Sequence, residues 1–247
     1  MTSQMPISSG VDLPPFTVRI SPRAKRLLLK VSPLGRVEVV APCRVKPAEV
    51  QVFVQRHHHW LRRTLAKLAV ERGRYHSNDV GLPSQMELRA LDECWQLDIA
   101  QNPINPAGRS LVVASEGKVM IRVSDHDAAV RALRTWLQAR AKQRLAAWLR
   151  EVSVETGLPF RSSSVRVQKS RWGSCSHLGA ISLNRNLLFL PPHLVRHVML
   201  HELCHTVHLN HSGRYWKLVR RHEPLYEAHE RELRRGDRYI PAWAFPD

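Results

Sequence analysis

Three features of the sequence predict an α+β protein. Short runs rich in β-branched residues occupy most of the first half, amphipathic helical patterns occupy most of the second, and the two kinds do not alternate. The expectation is an N-terminal, mostly β module followed by a helical module that carries a short sheet. With 247 residues, 43% of them hydrophobic, the chain is long and apolar enough to bury a core.

Residues 1–15 are polar and rich in Pro and Gly, the pattern of a loose tail. From Phe16 to Cys43, FTVRI, RLLLKV and RVEVVAP read as strands, with Pro33-Leu34-Gly35 as a turn. Pro47 suits a first helical turn, where no donor N–H is needed. It opens one helical stretch in which Val50, Phe53, Val54, Trp60, Leu61, Leu65 and Leu68 recur at helical spacing. MELRAL, CWQLDIA, SLVVA and KVMIRV predict further strands, broken by QNPINPAG and SEG. Ser124, with Asp127 three residues on, resembles a capping box for a long helix from Asp125 to Thr156 that stops at Gly157.

After Pro159, VRVQ, RWGSCS and AISLNRNLLFL read as extended segments around a loop. Pro191-Pro192 starts a helix expected to run through HLVRHVMLHELCHTVHL, and a last helix spans about Gly213 to Arg235. The expected organisation is a tail at 1–15, a β-rich region with one helix at 16–123, and a helical region at 124–247. No internal repeat is visible.

Lys and Arg number 38 against 21 Asp and Glu, a formal charge of +17, and residues 1–75 alone supply +10 of it from 14 basic and 4 acidic side chains. Such a balance favours polyanions, so nucleic acid bound through the basic N-terminal region is one partner expectation beside a plain solvated surface. Cys43, Cys94, Cys175 and Cys204 are scattered without a C-x-x-C pair, which argues against a disulfide framework and a cysteine-based zinc site. There is no basic-then-apolar leader and no apolar run of the ~18 residues a membrane span needs. A cytoplasmic protein without membrane contact is expected.

The chemistry concentrates in HELCHTVHLNHSGRYW, residues 201–216. On a helix, His201 and His205 at i and i+4 lie about 40° apart, so both imidazoles can meet one ion, while Glu202 flanks it and can hold a water. A catalytic zinc takes three protein ligands and leaves a fourth position open. His208 would stack beyond His205 on the same face, within about 20° of His201, and three ligands in a line cannot surround an ion. Asn210 suits a left-handed helix end and Ser212 an N-cap, so a turn at Leu209-Asn210 would swing His211 back. His201, His205 and His211 are therefore the expected zinc ligands, with His208 the alternative third, and Glu202 is the expected base.

His57, His58 and His59 point about 100° apart on a helix and read as surface. His177, His193 and His197 have no partner at ligand spacing. Cys204 reads as core. Tyr215 could donate a hydrogen bond to a developing oxyanion, with packing as the alternative.

Together, RWGSCS at 171–176, ISLNRNLLFLP at 181–191 and HELCHTVHLNHSGRYW resemble the YgjP-like metal-dependent hydrolases, zincin-type metallopeptidases related to the WLM and SprT-like proteases. The resemblance extends over about residues 16–235, through the basic segment RISPRAKRLLLKVSPLGRVEVVAP and the helix ending HHHWLRRTLAKL, and is loosest over 75–100. It implies a zincin-like helical module, zinc on His201, His205 and His211, and Glu202 as base. It also implies that Arg171, Trp172, Gly173, Ser174 and Cys175 lie beside the cleft. Arg171, Trp172 and Gly173 are candidate substrate contacts, since Arg171 can pair with a carboxylate or phosphate and Gly173 permits close backbone approach, with a tight turn and packing as the alternative.

Three functions follow as expectations. The first is a zinc peptidase, with a peptide strand laid near residues 168–175. The second, also implied by the resemblance, is cleavage of the phosphoanhydride of nucleoside triphosphates such as UTP. The third is a nucleic-acid-associated module whose zinc site acts on bound protein. The sequence contains no Walker-type phosphate loop and no G-x-G-x-x-G.

Overall fold

The computed structural model describes residues 2–4, 13–32, 34–75, 82–101, 111–168 and 171–245. The chain divides at Asn78/Asp79 into two compact units. The strands of residues 85–123 belong to the second unit, whereas the expected boundary at 123/124 groups them with the N-terminal strands.

In the first unit β1 (Thr2–Gln4), β2 (Phe16–Ile20), β3 (Leu28–Val31) and β4 (Val37–Ala41) form a sheet in the order β1-β2-β4-β3. Thr2–Gln4 thus pairs with β2 instead of lying loose, while residues 5–12 of the expected tail lie outside the described residues. Gly35, at φ 75°, makes the tight return to β4 that a Cβ would oppose. Val37 and Val39 of β4 pack with Val50, Val54 and Leu61 in a small core. The helical stretch opened by Pro47 is two helices, α1 (Pro47–Arg56) and α2 (His58–Tyr75), separated at His57. The break follows from the ring nitrogens. His57 Nδ1 lies 2.8 Å from the Phe53 carbonyl and His58 Nδ1 2.8 Å from that of Gln55, occupying acceptors at the end of α1.

The second unit opens with another four-stranded sheet, β5 (Gln85–Leu88), β6 (Glu93–Gln101), β7 (Leu111–Ser115) and β8 (Lys118–Val123), in the order β5-β6-β8-β7. Strand order and polarity match the first sheet: an antiparallel pair, a central parallel pair and a second antiparallel pair. The topology therefore repeats although the sequence shows no repeat. Glu116 (φ 48°) and Gly117 (φ 76°) form the two-residue turn of the β7–β8 hairpin, which requires positive φ at both positions. The segment QNPINPAG falls almost wholly outside the described residues.

Helix α3 (His126–Thr156) is the long helix the sequence predicts, ending on Gly157 at φ 67°. Its cap is Asp125 rather than Ser124: the carboxylate accepts from the Ala128 backbone N–H at 2.7 Å, and the Ser124 hydroxyl donates to that same carboxylate. Leu133, Leu137, Ala141, Leu145 and Leu149, each four residues after the last, are fully buried. Truncating one of these leucines to Ala would cost about 2–5 kcal/mol.

α3 packs against β8, the strand β9 (Ser162–Arg166) and the helix α4 (Pro192–Cys204). β9 lies in a three-stranded sheet of order β10-β11-β9, with β10 (Gly173–Cys175) at its edge and β11 (Ala180–Asn184) central. The extended reading of AISLNRNLLFL holds only to Asn184. Residues Arg185–Phe189 form a 3-10 helix because the Asn184 side chain accepts from the Asn186 N–H and turns the chain. The last helix is also two, α5 (Gly213–His222) and α6 (Tyr226–Leu233), since Pro224 lacks the N–H a continuous helix needs. Among the described residues no helix is long and apolar enough to cross a membrane.

Candidate metal centre and active site

α4 starts on Pro192 and is buried on most sides, by Leu194, Val195, Val198, Met199, Leu200, Leu203 and Cys204. Cys204 is core, as expected, and burial pushes its thiol up to about 12. The helix ends earlier than the sequence suggests. His205 already caps it, and the N–H groups of Thr206 and Val207 return to the carbonyls of Leu203 and Cys204 in tight three-residue turns. The turn therefore lies at His205–Val207 rather than at Leu209-Asn210. Asn210 is not left-handed, since Asp92 and Glu116 are the non-glycine residues with positive φ among those described. Ser212 does cap α5, accepting from the Tyr215 N–H at 3.4 Å.

This path brings His211 back. Its Nε2 lies 3.1 Å from His201 Nε2 and 3.2 Å from His205 Nε2. Nitrogens bound tetrahedrally to a zinc-sized ion stand roughly 3.3 Å apart, so the three lone pairs fit a single cation. The remaining ring nitrogens are held as well. His205 Nδ1 is 3.0 Å from the His208 carbonyl, and His201 Nδ1 is 3.4 Å from Glu230 Oε1. His208 thus serves through its backbone, and its ring is not part of the cluster. Burial, then the neighbouring His201, lowers the pKa of His211. For His205 burial and the neighbouring histidines lower it, against the His208 carbonyl; both rings are therefore neutral ligand donors at physiological pH.

Aromatic rings wall the cluster. Tyr215 stacks on His205 at 4.6 Å between centroids and Trp216 on His211 at 5.5 Å. The Tyr215 hydroxyl, a candidate oxyanion donor from sequence, instead donates to the His201 carbonyl at 3.1 Å, tying α5 to α4. Tyr215 is fully buried and packs against His201 and His205.

Glu202 is 5% exposed, and its side chain lies against Gly173 of β10. A Cβ at residue 173 would stand 2.6 Å from Glu202 Oε1 and 2.7 Å from its Cγ, so only glycine leaves room for this carboxylate. Burial raises the Glu202 pKa to about 7, against the opposing pull of His201 and Arg171. The other candidate substrate residues frame the same strand. Asn184 Nδ2 donates to the Arg171 carbonyl at 2.9 Å and the Asn184 N–H to the Trp172 carbonyl at 2.8 Å. Arg171 and Trp172 line a cavity of about 210 Å³ with Asn184, Asn186, Arg234 and Asp237.

Sequence reasoning gave His197 no role, yet it is fully buried between Glu223 and Glu230. A signal was present: His197, His201 and His205 form an i, i+4, i+8 series on one helix face. Nothing in the sequence marked Glu223, His229 and Glu230 as their neighbours.

A family model described as the YgjP-like metallopeptidase domain matches residues 25–236. No curated protein and no solved structure matches the chain.

Proposed function

The chain belongs to the YgjP-like metallopeptidase family, and from that premise we propose that it is a zinc-dependent peptidase in which Glu202 moves the proton. The observation that carries the reading is the convergence of the Nε2 atoms of His201, His205 and His211 beside a buried carboxylate. Three imidazoles leaving one coordination position free are the donor set of a catalytic zinc, and nitrogen donors suit zinc better than calcium or magnesium. Zinc in that place supplies a water acidified to a pKa of about 7 and polarises the carbonyl under attack.

The chain's own groups do the rest. His201 and Arg171 pull the buried Glu202 carboxyl toward its ionised form, in which it would accept the proton of the attacking water. The same carboxyl then returns the proton to the departing amine. β10 lies at its sheet's edge, and an extended peptide added there would run past Gly173 and Glu202. The cavity lined by Arg171 and Trp172 adjoins that strand and suits one substrate side chain.

The test is cleavage of an unfolded protein substrate by zinc-loaded wild type and Glu202→Gln. The variant is expected to keep one zinc per chain and lose turnover by about 10²- to 10⁴-fold. An active Glu202→Gln would remove this residue from the mechanism. Pyrophosphate release from nucleoside triphosphates by the wild type alone would replace the peptidase with a phosphoanhydride hydrolase.

A further inference from the structure

Behind the three Nε2 atoms runs a chain of polar groups that the proposed reaction does not use. Glu230 Oε1 is 3.4 Å from His201 Nδ1 and 3.1 Å from His197 Nε2. His197 Nδ1 lies 2.7 Å from Glu223 Oε2, and the other oxygen of Glu223 lies 2.8 Å from His229 Nδ1. Five groups alternate between imidazole and carboxylate, from His201 through Glu230, His197 and Glu223 to His229. Both ring nitrogens of His197 face carboxylate oxygens, so the ring is an imidazolium donating to each. The bonds hold both carboxylates ionised: those from His197 and His201 keep Glu230 well below the usual range, and for Glu223 those from His197 and His229 outweigh its burial.

We propose that Glu230 is a positioning residue for the metal centre, and that His197, clamped between Glu230 and Glu223, fixes where that carboxylate sits. The argument rests on reading His201, His205 and His211 as ligands. A neutral imidazole carries one N–H. A carboxylate beside Nδ1 draws that hydrogen there, leaves the lone pair on Nε2 and increases its donor strength. His205 receives the same orientation from the His208 carbonyl, a weaker acceptor, so His201 is the ligand whose basicity the protein tunes by charge. Glu230 comes from α6 and His197 from α4, so the packing of those helices is transmitted to the ligand geometry.

His197, Glu223 and His229 also bring three ligand atoms together, which raises the alternative of a second metal site. Their contacts of 2.7 and 2.8 Å are of hydrogen-bond length, and the second His197 nitrogen is taken by Glu230 at 3.1 Å, so the cluster is closed without an ion.

The experiment titrates full-length, metal-stripped protein with zinc against a chromophoric chelator. The visible spectrum of the cobalt(II)-loaded protein and the thermal midpoint of the metal-free protein are further readouts. Glu230→Ala is expected to weaken zinc binding about 10- to 100-fold and to shift the cobalt bands. His197→Phe should move both in the same direction by less, and Glu230→Asp should recover part of the loss. Glu232→Gln, on the same helix as Glu230, breaks the pair with His193 of α4 and should bind zinc as the wild type does.

Variants of Glu230 and His197 that melt earlier yet bind zinc with wild-type affinity and spectrum would show a purely structural role and overturn the proposal. Should Glu230→Ala not fold, Glu230→Gln, which keeps the shape and removes the charge, is expected to show a several-fold weakening. Two zinc ions per wild-type chain, one of them lost in His229→Ala, would overturn it in favour of a second site. A wild type that binds no zinc sinks the ligand reading and this proposal together, whereas one zinc with indifferent Glu230 variants sinks this proposal alone.

Discussion

The two four-stranded sheets share strand order and polarity, and each is followed in sequence by helix and by a histidine-dense stretch, but only the second stretch assembles a site. In the first unit His57, His58 and His59 are consecutive. Two of the rings turn back onto carbonyls at the end of α1, and among the described residues no cluster of ligand atoms forms there. In the second unit the spacing of four, then six across a turn, with α6 packed behind, aims three Nε2 atoms at one point. The first stretch holds three histidines and the second four, of which three converge. The difference teaches that a cluster of ligand-type nitrogens is made by spacing and by what holds the far ring nitrogen.

The comparison breaks most visibly at His211. His211→Ala should no longer retain one zinc per chain, a loss on the order of 3 kcal/mol or more, whereas His208→Ala should retain it because its contribution is a backbone carbonyl. Metal analysis of the two purified variants decides this, and equal retention would refute the ligand assignment. Gly173→Ala sharpens the comparison by disturbing the base and leaving the ligands alone. Forcing a methyl against Glu202 costs about 1–3 kcal/mol, so turnover should fall about tenfold or more at unchanged zinc content.

A third difference lies in pH. His197 binds its proton more tightly when folded, rising from 6.5 to about 9; burial opposes this, but the bonds from Glu223 and Glu230 outweigh it. Its contribution to the stability of metal-free protein is complete below pH 6.5 and lost as pH rises through 9. Chemical denaturation of wild type and His197→Phe should show a gap that closes across that interval; a constant gap would mean that His197 is uncharged. The smallest effect is expected from replacing His57, His58 and His59 together by Ala. Two exposed or half-buried side-chain contacts disappear, about 1 kcal/mol or less, and zinc content stays at one per chain.

Much of this was legible. The stripe of Leu133, Leu137, Leu145 and Leu149, the stop at Gly157 and the cap at Ser212 are local signals, and the structure realises them. The misreadings fall where side chains compete for backbone groups. Asn184 turns an apolar run into a 3-10 helix, the ring nitrogens of His57 and His58 interrupt a periodic helix, and Asp125 outcompetes its neighbour Ser124 as a cap. His201, Glu202 and His205 could be read because helix geometry relates them, and His211 because a turn was expected before the Ser212 cap. Glu230 and Glu223 could not, since their place beside α4 is a product of tertiary packing. Tyr215 was marked by position, but the acceptor of its hydroxyl was not.

Gly173 carries a consequence for how such a protein diversifies. The strand that would greet a substrate is also the surface on which the base leans, so residue 173 is closed to variation. Ser174 is not bound in this way: as the next residue of the strand it faces the opposite side from Gly173. New preferences can accumulate there while the packing of Glu202 on Gly173 is inherited intact. A library randomised at 174 should yield active descendants, and one randomised at 173 should yield almost none.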